Sequence, residues 1–231
     1  MSFIRIKGLS AGYGKSVVLR GIDLVVDEGE SVAVVGKNGA GKSTLLNSFF
    51  GGTNVHGGSI EVGGVALEKL PAYAGPKHGV TISPQGRLIL PHLTVKDNLL
   101  LGGASGRSGQ WTLEKIFNLF PILRERQDKL GTALSGGQQQ MLAVGRALLG
   151  NPRVLLLDEP TEGLSPVLVD ELVAVFNKIR ETGTGILVVE QHLNLVRRTT
   201  QRFVVISKGE IIDSGLTKDI DNDEHRAALA F

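Results

Sequence analysis

The stretch "SVAVVGKNGAGKSTLLNSFF", residues 31–50, constrains the fold more than any other. Residues 32–35 are all apolar, so the strand they predict must be covered on both faces, as in a parallel sheet flanked by other layers. The next residues fit G-x-x-x-x-G-K-[ST]. Glycines at 36, 39 and 41 let the backbone curl until its N–H groups converge, and such a concavity holds phosphate oxygens. "KSTLLNSFF" then reads as a helix. A strand, a glycine loop and a helix in that order give the pattern its meaning. Gly36, Lys37, Asn38, Gly39, Ala40, Gly41, Lys42, Ser43 and Thr44 are therefore expected to bind a nucleoside triphosphate. Lys42 brings a point charge to the β and γ phosphates, and the Ser43 hydroxyl suits Mg²⁺.

"VLLLDEP" (154–160) supplies the other half of such a site. Its apolar residues predict a central strand. Asp158 and Glu159 stand at the carboxyl end, where ligands bind in open α/β sheets. Side chains alternate along a strand, which sends the two acids opposite ways and gives them separate roles. Asp158 is expected in the Mg²⁺ shell. Glu159 is expected to orient and polarise the attacking water.

The rest of the chain alternates strand and helix. Strands are predicted at 3–7, 17–26 (with Gly21 as a bulge), 57–64, 79–83 and 185–190, and a hairpin over 202–215 around Lys208–Gly209. Helices are predicted over 165–183 and up to about residue 200. Residues 90–150 differ, being mainly helical. Thr94 reads as an N-cap there, and a helix over 111–120 stops before Pro121. "LSGGQQQMLAVGRALLG" (134–150) opens with Ser135 and Gln138 at capping-box spacing, then turns apolar at helical steps. The expected fold class is α/β: one domain over 1–231, a P-loop NTPase core with a mostly parallel sheet and helices on both faces. An N-terminal antiparallel β region and a helical insertion subdomain at 90–150 complete it. Residues 219–231 read as peripheral.

The phrase at 134–138 holds no carboxylate, histidine, cysteine or lysine, yet a helix N-terminus attracts anions. Together with the two phosphate motifs, and in this order, "LSGGQ" resembles the ATP-binding subunit of ABC transporters over nearly the whole chain. The resemblance implies that two copies dimerise head to tail around ATP. Ser135, Gly136, Gly137 and Gln138 would then grip the γ-phosphate of the ATP bound by the partner copy. It further implies that Tyr13 in "AGYGK" stacks on adenine and that Gln85 in "ISPQGR" reaches Mg²⁺ and water. "EGLSP" (162–166) would face the partner copy, although many relatives carry aspartate where Ser165 stands. Relatives usually place a γ-phosphate-contacting histidine directly after a strand. Here "ILVVE" is followed by Gln191 and only then by His192. By register Gln191 takes the switch position; a one-residue slip or a bulge would restore His192.

"GGQQQMLAVGRALL", "DEPTEGLSP" and "VEQHLNLV" resemble the importer group for branched-chain amino acids, while "PQGR" and "TEGLSP" lean toward urea or short-chain amides. That resemblance implies ATP and Mg²⁺ as cofactors, transmembrane permease subunits, a second ATPase subunit identical or paralogous, and a solute-binding protein acting upstream. It implies a peripheral location on the inner face of the membrane. A net charge of +2 without a dense basic run argues against a nucleic-acid partner, and the absence of cysteine excludes thiolate metal sites. Against an ABC-type ATPase of DNA stands the short interval between Lys42 and Ser135, with no sustained heptads. Against a non-hydrolysing scaffold stands Glu159.

Overall fold

In the computed structural model, residues 2–67, 71 and 73–230 are described. Two sheets stack. The first is antiparallel and is built from β1 (Ser2–Tyr13), β2 (Ser16–Asp27), β4 (Asn54–Val62) and β5 (Val65–Ala66), in the order β2-β1-β4-β5. The β2 strand gains a residue on β1 between Leu19 and Ile22, where Gly21 takes a positive φ of 61°, so the predicted bulge is present.

The second sheet contains β3 (Ser31–Val35), β6 (Val80–Ser83), β7 (Val154–Asp158), β8 (Gly185–Glu190), β9 (Arg202–Ser207) and β10 (Glu210–Leu216). Their order is β10-β9-β3-β8-β7-β6, parallel throughout except for the β9–β10 hairpin at the edge. Lys208 and Gly209 turn that hairpin with φ of 49° and 83°, the left-handed pair that a two-residue loop requires.

Alternate residues of β3 face two cores, as a strand covered on both sides must. Val32 and Val34 pack with the antiparallel sheet and with Leu45 and Leu46 of α1 (Lys42–Asn47). Ala33 and Val35 pack on the opposite face with helices. Those helices include α3 (Val95–Leu100), α4 (Leu113–Leu119), α5 (Pro121–Glu125), α6 (Gly136–Leu149), α7 (Pro166–Glu181) and α8 (Leu193–Thr199). Helices thus lie on both faces, but the α1 face is shared with a second sheet. A short α2 (Ala74–Lys77) precedes β6.

Helices α3 to α6 fall between residues 95 and 149, within the predicted helical segment. Thr94 caps α3 by accepting from the Asp97 N–H at 3.0 Å. Pro121 does more than stop a helix: it starts α5 at N1, where its missing N–H costs nothing. Of the segment 219–231, the described residues 219–230 are less peripheral than expected. Within them α9 (Asp223–Leu229) buries His225, whose Nδ1 lies 2.8 Å from Asp213 of β10 and whose ring meets Phe203 edge-on. Ile220 is buried as well.

Candidate active site

Strand β3 ends at Val35 and the chain turns back over α1. A Cβ on Gly36 would stand 2.4 Å from the Ile206 carbonyl, so only glycine lets β9 run so close. Gly41 has φ 110° and takes the N-cap position of α1, again open only to glycine without strain. The loop between them exposes Lys37, Asn38 and Gly39 while burying Ala40. Lys42 is buried. Its ammonium donates to the carbonyls of Gly36 (2.8 Å) and Lys37 (3.1 Å), which ties the loop into a ring. Thr44 is buried beside it, one residue after half-buried Ser43.

The acids from β7 close on this loop. Asp158 accepts from the Ser43 hydroxyl at 3.0 Å. Glu159 lies 2.9 Å from the Lys42 ammonium. Strand alternation does not separate them as expected. Glu159 leaves the strand with φ 45°, a left-handed step that swings its carboxylate to the same side as Asp158. The two acids are still distinguished, by partner rather than by face. Burial, first of all, pushes the Asp158 carboxyl above the usual carboxylate range, and the nearby Glu159 charge adds to this. The Ser43 hydroxyl, the Gln85 backbone N–H and Lys42 oppose it. A carboxylate that is costly to bury beside a hydroxyl is a fitting pair for a divalent cation, which would relieve that cost.

Gln85 follows β6 and is exposed. Its amide nitrogen donates to Glu159 at 3.4 Å and to Glu162 at 3.0 Å. A cleft of about 370 Å³ runs between these groups, lined by Val18, Gly39, Lys42, Ser43, Gln85 and Glu159, among others. Val18 belongs to the β1–β2 hairpin, and Tyr13 stands at the tip of that hairpin, 49 % exposed, with its ring available for stacking.

The "LSGGQ" phrase lies outside that lining. Ser135 caps α6 by a reciprocal box: its N–H donates to Gln138 Oε1 at 3.0 Å, and its hydroxyl accepts from the Gln138 N–H at 3.4 Å. Ser135 and Gly136 are exposed and Gly137 is buried against Leu168. Farther along α6, Arg146 donates to the carbonyls of Leu88 (2.7 Å) and Arg87 (2.8 Å). Those residues hold φ of 44° and 66°, so the arginine pins a strained stretch of the loop after Gln85.

Strand β8 pairs with β3 in unbroken register to Glu190, opposite Val35. No bulge moves His192 into the place of Gln191. Gln191 is half-buried, and His192 is exposed, facing a separate cleft with Thr161, Gly163, Leu164 and Pro166. Sequence reasoning overlooked Glu190 itself. Only 1 % exposed, it accepts from the Thr161 N–H (3.2 Å) and hydroxyl, and from the N–H groups of Gln191 (3.0 Å) and His192 (3.2 Å). One buried carboxylate thereby joins the loops after β7 and β8. The only hint was an acid ending an otherwise apolar strand. Arg146 and Asn98 were overlooked too, as was the contact of Glu162 with Gln85, 77 positions away.

Comparisons with known proteins identify the family and the fold. The family model described as ABC transporter matches residues 11–162. The branched-chain amino acid transport ATP-binding protein BraG of Pseudomonas aeruginosa is 37 % identical over 206 residues, covering 88 % of each chain. The lipopolysaccharide export ATP-binding protein LptB of Escherichia coli K12 is 30 % identical over 230 residues, 97 % of this chain and 95 % of that one. The dimeric bacterial ABC transporter cassette MJ0796 superposes with a TM-score of 0.81 at 25 % identity, over 93 % of this chain and 98 % of its own. With the phosphate loop, the acid pair and the capped signature helix all in place on that fold, the chain belongs to the ABC transporter family, as an ATP-hydrolysing ATP-binding subunit.

Proposed function

We propose that this subunit powers an importer for a small amino-acid-like solute, as a dimer closed by ATP. The observation that carries the reading is the meeting of Lys42, Ser43, Gln85 and Glu159 at one cleft, with Asp158 bonded to Ser43, and with Ser135 and Gly136 of the signature phrase exposed outside it. The phosphate loop holds the triphosphate, and Tyr13 covers the adenine. Ser43, Asp158 and Gln85 would hold Mg²⁺, which would supply charge neutralisation to the triphosphate. A γ-phosphate reaching Lys42 competes with Glu159 for the ammonium and frees that carboxylate. Glu159 then takes the proton of the attacking water, and Gln191 contacts the γ-phosphate from the end of β8.

Residues 135–138 complete the site of the partner copy with helix N-terminal N–H groups. Hydrolysis removes the γ-phosphate, the bridge between subunits weakens, and the dimer opens. A permease segment docks in the groove of about 470 Å³ lined by Phe50, Tyr73, Thr81, Leu101 and Arg146. That groove joins the sheet to the helical segment, and the buried Thr81 hydroxyl there has no hydrogen-bond partner. No helix among the described residues is long and apolar enough to cross a membrane.

BraG favours branched-chain amino acids as the cargo of the complex, and the "PQGR" and "TEGLSP" stretches favour urea or a short amide. Purifying the tagged chain with its membrane partners and reconstituting them with the solute receptor tests this. ATP-driven uptake of labelled leucine supports the first reading, and uptake of urea the second. Uptake of neither, with lipopolysaccharide extraction instead, overturns both.

A further inference from the structure

Glu162 is an exposed residue with no part in the chemistry above. Its Oε2 nevertheless accepts the 3.0 Å hydrogen bond from Gln85 Nε2, the same nitrogen that donates at 3.4 Å to Glu159. A primary amide carries two N–H hydrogens and one carbonyl oxygen. Here each hydrogen has a carboxylate to meet. Turning the amide over would bring its oxygen against two negative charges, an arrangement disfavoured at these distances. The Gln85 oxygen is therefore left facing away from both acids. The Gln85 backbone N–H meanwhile stabilises the charged form of Asp158, so one residue touches all three carboxylates at this end of the cleft.

We propose that Glu162 is a positioning residue: it locks the Gln85 amide with its oxygen offered to the nucleotide side, and so ties the loop after β6 to the loop after β7. The proposal rests on the role given above to Gln85. Without Glu162 one amide hydrogen loses its acceptor, and the side chain is free to rotate a donor into the place of the acceptor. Turnover should fall by about tenfold, less than the roughly hundredfold that a misplaced reacting group can cost. The KM for ATP should hardly move, because the phosphate loop makes no use of Glu162. Glu162→Gln keeps a carbonyl acceptor at the same reach and should restore most of the loss.

The test compares wild type, Glu162→Ala, Glu162→Gln, Gln85→Ala and the double variant Gln85→Ala/Glu162→Ala. Steady-state hydrolysis is measured beside the side-chain amide signals in ¹H–¹⁵N spectra, with the Gln85 pair assigned by its loss in Gln85→Ala. The expected result is a Gln85 pair that shifts and exchanges faster with water in Glu162→Ala and recovers in Glu162→Gln. Turnover of the double variant should match Gln85→Ala alone. Unshifted Gln85 signals in Glu162→Ala would overturn the lock, as would a Glu162→Ala defect of equal size in the Gln85→Ala background. If the signals shift but Gln85→Ala turns over like wild type, the lock stands as a contact, and the role given to Gln85 is what fails.

Discussion

At the scale of single residues, the site divides labour by partner. Asp158 is held by Ser43, Glu159 by Lys42, and Glu190 by donors from two loops. Glu159→Gln keeps the shape and an acceptor for Lys42 but removes the base. Its turnover should drop by about 10²- to 10⁴-fold with ATP binding preserved, as phosphate-release and nucleotide-binding assays can show. Asp158 offers a prediction in pH. Burial raises its pKa in the fold, so the native state holds this proton more tightly than the unfolded chain does. That preference stabilises the fold below the ordinary carboxylate range and is lost as pH rises through the raised value, after which the buried charge is a cost. Asp158→Asn should therefore raise Tm at neutral pH in the absence of nucleotide while abolishing hydrolysis, and the gain should shrink toward about pH 4. A variant no more stable than wild type at pH 7 would count against that account. Glu190 was not foreseeable as a hub, because its meaning lies in the two Thr161 donors, 29 positions away, that become its neighbours only after folding.

At the scale of elements, local patterns read well where the physics is local. The phosphate loop was readable because strand, glycines and helix adjoin in sequence, and the α6 cap because Ser135 and Gln138 sit within one turn. The pairing of β1 with β4 was not, since Ile6 meets Ile60 across a long loop that contains a whole α/β unit. The left-handed step at Glu159 was hidden for another reason: strand periodicity says nothing about the residue where the strand stops. Asn98 of α3 shows how much one side chain can organise. Fully buried, it accepts from the Leu90 N–H at 2.9 Å and donates to the carbonyls of Leu90 (3.2 Å), Leu93 (3.2 Å) and Thr94 (3.0 Å). Asn98→Ala should cost about 2 kcal/mol by stranding these groups, lowering Tm by roughly 4–8 °C in a chain of this size, as a melting curve can check.

At the scale of the whole molecule, the proposed function makes a protomer with a phosphate loop at one place and an exposed helix N-terminus at another one half of a larger object. In light scattering, Glu159→Gln protein with ATP should move from 24.6 kDa to about twice that mass. Ser135→Arg should bind ATP as a protomer yet remain at the single mass; loss of binding would mean that α6 serves its own nucleotide. The grip of Arg146 on residues 87 and 88 bears on how such a closure is felt elsewhere. That arginine sits near the far end of the helix that begins at Ser135, a rod about 21 Å long. On the proposed dimer cycle, a pull on the loop after Gln85 would reach this end of the rod through Arg146 and tilt the other tip, a rocker whose pivot is two carbonyls and one guanidinium.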